Sequence, residues 1–304
     1  MTGVTGMADM TGATGTAGEE GAADFDGLFR AAGVTGFLHA VDLDTGAEIA
    51  YGADRAVVTA SVFKVALLVE FFRQADRGEL DPAERVRIVA DAHTPGPTGV
   101  SAMADDVTIS LRDLAYLMIA VSDNTAADTL IGRVGLAAVN TMLASFGLVG
   151  TWLEHDCAGL FASIVEDAGQ EDMPTDPAVV ARLRVLDPAR TNRSTPRETT
   201  RLLGMIWRDE AASPESCASM RRLLGLQVWP HRLASGFPYD DVAVSGKTGT
   251  LPTLRNEAGV VEYPDGGRYA VAVFTRSYGT AQNQPRADAV IGTAARVAVE
   301  RLRS

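Results

Sequence analysis

The sequence predicts an α+β fold: an antiparallel sheet assembled from both ends of the chain, with an all-helical block inserted between its halves. Three observations carry this. Residues 36–52 read as two strands, and residues after 241 read as three more. The long middle of the chain has helical spacing. The chain closes on one more helix, "RADAVIGTAARVAVERLR". Helices segregated from an antiparallel sheet make two lobes, and clefts between lobes are where sites usually sit. The expected division is a sheet lobe of 25–60 and 208–304 and a helical lobe of 61–207.

The chain has 304 residues, 46% apolar and 22% charged, enough for a sizeable core. Its net charge of −12 offers no basic patch to nucleic acid or anionic lipid. No apolar run approaches the ~18 residues of a membrane span. Residues 1–24, rich in Thr, Gly and Ala, lack the basic and apolar regions of a secretory signal. They are expected to be a disordered tail, and the chain to be cytoplasmic. Two cysteines, Cys157 and Cys217, fit a reducing compartment. The four histidines are scattered without metal-ligand spacing, so no metal or organic cofactor is expected. "SGKTGT" (245–250) contains the GKT of a phosphate-binding loop, but position 241 is Asp241 where that loop needs glycine.

The elements follow in order. A helix carrying Phe25, Leu28 and Phe29 leads into "GFLHAVDLDTGAEIAYG", two strands around an Asp-Thr-Gly turn. A central helix starts near Ser61 and dies around Gly78. "AHTPGPTGVSAM" is a Pro/Gly loop. Leu111, Leu114, Leu117, Met118 and Val121 fall at helical spacing. Ser122-Asp123-Asn124 interrupts, and Asp123 or Asn124 can cap the next helix. Residues 154–195 are read as less regular, with an acidic patch and several prolines. "STPRETTRLLGMIW" starts a helix, with Ser194 or Thr195 as cap and Glu198 placed for a capping box. A helix near 214–226 precedes the strands "DVAVSGKTGT", "GVVEY" and "RYAVAVFTRS".

The chemistry lies in "TASVFKVALL" (59–68). Ser61 and Lys64 stand three residues apart at the head of an apolar run. A lysine there is costly unless it is paired or works neutral. Two further motifs follow: Ser122-Asp123-Asn124 between helices, and Lys247-Thr248-Gly249 on a strand. Each alone is weak, since all occur as caps or strand ends. Together, in order and each at its matching structural place, the three resemble the penicillin-recognising serine enzymes. "TISLRDLAYLMIAVSDNTAADTLIGRVGLAAVNTMLASFG" and "HRLASGFPYDDVAVSGKTGT" are similar to class A β-lactamases, and the similarity runs from about residue 36 to 304, except 154–193.

The resemblance implies a β-lactamase/transpeptidase-like fold and a small-molecule substrate: a β-lactam, amide or ester. It also implies roles. Ser61 is the nucleophile, which needs a neighbour to take its proton. Lys64 is that base, its pKa depressed by burial and by a helix terminus. Ser122 relays a proton to the leaving group, and Lys247 depresses Lys64 further. The N–H groups of Ser61 and Thr250 form an oxyanion hole. Asn124, Thr248 and Gly249 bind substrate, with Gly246 and Gly249 leaving room along the strand, and Arg255 holds a substrate carboxylate.

One feature departs from the family. Class A enzymes carry Arg-Trp-Glu-x-x-Leu-Asn after the helical block, and its glutamate activates the water that clears the acyl-enzyme. Here the text is "TWLEHDCAGLF", which puts Cys157 at the glutamate and Phe161 at the asparagine. Glu154, Asp156, Glu166, Asp167 and Glu171 are the carboxylates nearby that could replace it; the plainer reading is that they are solvated and that Cys157 is a buried filler. Three functions stay open: a serine hydrolase with weak β-lactam turnover, an acyltransferase that resolves the acyl-enzyme with an amine or alcohol, and a covalent β-lactam sensor.

Overall fold

The computed structural model describes residues 17–304. Helix α1 (Ala17–Ala31) starts inside the stretch expected to be tail; residues 1–16 of that tail lie outside the described residues. Strands β1 (Val34–Asp42) and β2 (Glu48–Tyr51) form the expected hairpin. A short extended pair, β3 (Val57–Val58) with the later β6 (Arg193–Ser194), bridges the lobes. A 3₁₀ turn at Ala60–Phe63 then feeds α2 (Lys64–Asp76).

Strands β4 (Arg85–Ile88) and β5 (Val107–Ser110) pair antiparallel, so the inserted lobe is not wholly helical. Helix α3 (Leu111–Ala120) is capped by Ser110, and α4 (Asn124–Val134) by Asp123. Then come α5 (Leu136–Ser145), α6 (Cys157–Ala168) and the single turn α7 (Pro177–Val180). The expectation of an irregular segment from 154 is corrected at α6. Asp156 caps its start, and Gly169, at φ 68°, ends it in a left-handed conformation.

Helix α8 (Pro196–Trp207) is capped by Thr195, whose hydroxyl accepts the Glu198 N–H. The Glu198 carboxylate does not close the box. It accepts from Gly150 N–H and Thr151 Oγ1 instead, tying α8 to the loop after α5. Helix α8 lies against β1 and β9. Helix α9 (Pro214–Gly225) leads to β7 (Ala243–Leu251), β8 (Leu254–Glu262) and β9 (Arg268–Ser277), and α10 (Pro285–Arg303) closes the chain.

The five-stranded sheet has the order β2-β1-β9-β8-β7, every neighbour antiparallel. β1 from the start of the chain pairs with β9 from its end, Val34 opposite Ser277 through Asp42 opposite Tyr269. One core, around Phe25, Phe29, Ile291 and Ala295, joins the sheet to α1 and α10. The larger core surrounds α2, where Leu67, Leu68, Val69 and Phe71 are fully buried. The α2 run at 65–69 is apolar all round because that part of the helix is enclosed on all sides. The sheet edge β7 faces its N-terminal end, and the site lies there.

Candidate active site

Ser61 sits in the 3₁₀ turn and Lys64 is the first residue of α2. In a 3₁₀ turn side chains three residues apart eclipse, so the Ser-x-x-Lys spacing stacks the two on one side. Ala60, just before the serine, is held at φ 45°, a strained conformation for a residue with a side chain. Lys64 is fully buried and, among the described residues, makes no salt bridge. Its Nζ donates to Ser122 O at 2.8 Å, Asn124 Oδ1 at 2.9 Å, Asp123 O at 3.3 Å and Ser122 Oγ at 3.4 Å. Burial holds its pKa below the usual lysine value, although the charges of Cys157, Asp123 and Asp128 oppose this.

Ser122 lies between α3 and α4 with φ 62°. That strain turns its carbonyl and hydroxyl toward Lys64. Asp123 is fully buried and structural: it caps α4 through Ala126 N–H and accepts from Val100 N–H at 2.6 Å and Ser101 Oγ at 2.9 Å. Asn124 lines the cleft, and its Nδ2 donates to Pro95 O at 2.8 Å. Lys247 is fully buried on β7, its Nζ 2.9 Å from Thr248 O. Burial, then the nearby Lys64 charge, press its pKa well below the lysine range. Two buried ammonium groups cannot both be comfortable, and the stronger downward push falls on Lys247, while burial alone lowers Lys64.

β7 is an edge strand. The Thr248 N–H donates to Gln227 Oε1 at 2.6 Å, so it points away from β8. Two residues on, the Thr250 N–H points the same way, into the cleft beside Ser61. Gly249 also lets the strand approach the turn that carries Ser61. A Cβ there would lie 2.5 Å from Thr59 O, so its bare face lets β7 touch that turn. Gly246 likewise turns its bare face to β8, with Ala258 O at 3.0 Å and Glu257 Oε1 at 3.3 Å from a hypothetical Cβ.

Arg255 is at the cleft but already engaged. It is buried, donates to the carbonyls of Leu251, Leu254 and Gln282, and lies 3.7 Å from Asp288. The guanidinium that reaches the oxyanion edge is Arg232, which the sequence reading missed. Its Nη2 donates to Thr250 Oγ1 at 2.8 Å, its Nη1 to Gly249 O and Asn256 O, and its Nε to Asp288 at 2.7 Å. "HRLASG" carries no periodicity to mark it; only the fold brings it under β7.

Ser61, Ser122, Asn124, Arg232, Thr248, Thr250 and Arg255 line one cleft of about 720 Å3. Ser61, Ser122, Asn124, Thr248 and Thr250 are at one end, and Phe161, Met173, Pro174 and Trp229 form apolar walls. No carboxylate is among its lining residues. Each candidate replacement for the glutamate is elsewhere or occupied. Glu154 accepts from Trp152 Nε1, Asp156 caps α6, and Glu166 and Asp167 hold Arg184. Glu171 is exposed. Cys157 is buried behind the wall, its thiol pushed up to about 12 by burial. Asp128 on α4, also unforeseen, accepts from the N–H groups of Cys157 (2.7 Å) and Ala158 (2.9 Å) and from Thr94 Oγ1 (2.7 Å). It fixes the start of α6 against α4.

The β-lactamase enzyme family model matches residues 22–302. The chain belongs to the β-lactamase enzyme family. It is 34% identical over 292 residues to the β-lactamase regulatory protein BlaB of Streptomyces cacaoi, covering 89% of this chain and 94% of that one. A crystal structure of a β-lactamase from Sphaerobacter thermophilus superposes with a TM-score of 0.75 at 28% identity, over 91% of this chain and 95% of that one. An ancestral class A β-lactamase shares the fold, with a TM-score of 0.77 at 23% identity over 92% of this chain and 99% of that one. The β-lactamase-like α+β architecture is therefore established. Among the described residues, no helix is long and apolar enough to cross a membrane.

Proposed function

We propose that this β-lactamase-family chain forms an acyl-enzyme at Ser61 with a β-lactam or a related amide or ester and releases it slowly. Neutral Lys64 takes the proton of Ser61 Oγ, and the oxygen attacks the substrate carbonyl. The N–H groups of Ser61 and Thr250 hold the oxyanion. The C–N or C–O bond then breaks, Ser122 Oγ gives its proton to the leaving atom, and the Lys64 ammonium returns one to Ser122. Burial is what favours the neutral form of Lys64 beforehand, and Arg232 together with Arg255 supplies the positive field for an anionic substrate.

The observation that carries the second half is the cleft lining: Ser61 and Ser122, with Lys64 bonded to Ser122 behind them, and no carboxylate among the lining residues. Without a base to activate water, the acyl group outlives its formation. The apolar Phe161 on the wall adds to that by keeping water away. The same observation, with the regulatory protein among its relatives, supports a second reading: the chain is a covalent β-lactam sensor. A third, a cytoplasmic acyltransferase, needs an amine or alcohol acceptor in place of water.

Intact-protein mass spectrometry after incubation with a penicillin tests this, with Ser61→Ala as control. A persistent adduct, absent in the control, is the expected result. Added amines that shorten its lifetime would favour the acyltransferase. Fast turnover without adduct would overturn slow release, and no reaction at all would overturn the β-lactam reading.

A further inference from the structure

Behind the cleft lies a buried acid that the acyl-transfer steps do not use. Glu257 on β8 is 1% exposed and sits directly opposite Thr248 in the sheet. Its carboxylate has two arms. Oε1 accepts from Gln227 Nε2 at 2.6 Å, and the same Gln227 side chain accepts the Thr248 N–H through Oε1 at 2.6 Å. Oε2 accepts the Leu233 N–H at 2.7 Å, the residue next to Arg232. Arg232 in turn donates to Thr250 Oγ1. Gly246 makes the room, since a side chain there would press on Glu257 Oε1.

We propose that Glu257 is a positioning residue: one buried carboxylate that sets both substrate-facing features of β7, the strand edge through Gln227 and the Arg232 guanidinium through the Leu233 N–H. This rests on reading the cleft as an acyl-transfer site. A buried carboxylate without two donors would be costly, so the acid and its arms hold one another in place. A medium-length neutral side chain at 257 would leave at least one arm unmade. Glutamine presents one acceptor and one donor, whereas both Gln227 Nε2 and the Leu233 N–H need acceptors.

Protonation works on the same joint. Burial raises Glu257 to about 7, against the lowering pull of its two hydrogen bonds and of the charges that face it, Arg232 from the turn after α9 and Lys247 from β7. Above that pH both oxygens accept; below it one becomes a donor and an arm is released. The edge of β7 is then set firmly only on the alkaline side.

The test uses the full chain and two readouts. The first is the Thr248 amide resonance followed from pH 5 to 9 by NMR without substrate. The second is the rate constant of acylation by a penicillin over the same range. The wild type is expected to show one transition near pH 7 in both, with acylation faster above it. Glu257→Gln is expected to flatten both and to slow acylation tenfold or more at pH 8. Gln227→Met, at a half-buried position, is expected to remove the Thr248 transition even if Glu257→Gln does not fold. A Thr248 transition that persists in either variant, or a wild-type amide that does not titrate, overturns the proposal. If the protein is not acylated at all, the reading of the cleft fails, while the amide titration still decides the role of Glu257.

Discussion

Gly249→Ala is the smallest change that should separate the nucleophile from its oxyanion donor. The added Cβ would stand 2.5 Å from Thr59 O, 3.1 Å from Val62 Cγ2 and 3.2 Å from Ala60 Cβ. An ordinary C···O contact is about 3.3 Å, so β7 or the turn must give by about 0.8 Å. The turn cannot give easily. Thr59 N–H and Oγ1 both bond Asn192 O, and Asn256 Nδ2 donates to Val58 O at 2.9 Å. Ala60 is already strained at φ 45°. The strand therefore moves, and with it the Thr250 N–H. Overpacking of this kind costs ~1–3 kcal/mol, which for a chain of this size is a melting-temperature loss of roughly 2–4 °C per kcal/mol. A misplacement near 1 Å at a reacting centre costs on the order of 10²-fold in rate. The assay is pre-steady-state acylation by a chromogenic cephalosporin, with thermal unfolding beside it. Acylation within threefold of wild type, with an unchanged melting temperature, would show that the close approach of β7 to Ser61 is not what the glycine is for.

Two further outcomes follow from groups outside the cleft. Both thiols are buried and raised by that burial, Cys157 to about 12 and Cys217 upward, so a maleimide at pH 8 should label neither in the native protein and both after denaturation. Native labelling of Cys157 would mean that its wall opens. His39 on β1 is buried, with Nδ1 2.6 Å from Thr200 Oγ1 and Nε2 between Arg197 and Glu48. Burial, its largest influence, lowers its pKa. The unfolded chain then binds the proton more readily, so stability is full above about 6.5 and falls as pH drops below it. Thermal unfolding between pH 7.5 and 5 should show that fall, and His39→Gln should flatten it.

Much of this was legible because it is local. The Ser61–Lys64 spacing, the Asp123 cap and the strand text around Lys247 each announce themselves within a few residues. The five-strand sheet was readable for the same reason: its strands are short, alternate or apolar, and are bounded by turn residues. Helix α6 was hidden by the prolines and acids that follow it, although Asp156 before it and Gly169 after it are ordinary start and stop signals. Glu198 has the spacing of a capping box, and a long-range partner, Thr151, took its carboxylate. Arg232, Asp128 and Glu257 were not legible at all. Each acts on a residue far away in sequence, and nothing in one chain's spacing says which strand or loop will arrive beside it. The contact of Gly249 with Thr59 O was not legible, because a glycine near substrate and a glycine near backbone look the same in text.

The pairing of β1 with β9 makes assembly an all-or-nothing event. The first long strand to leave the ribosome waits for almost the last. Until Arg268–Ser277 has been made, the sheet exists only as two separate hairpins, β1–β2 and β7–β8, and the one that carries Lys247 is not yet joined to β1. Such long-range closure is slow, because the entropy of a very large loop must be met before any of its contacts form. The inserted helical lobe can gather meanwhile around α2, but the two lysines meet only when the chain is complete. On the proposed function, reactivity toward an acylating ligand would then report on a finished molecule.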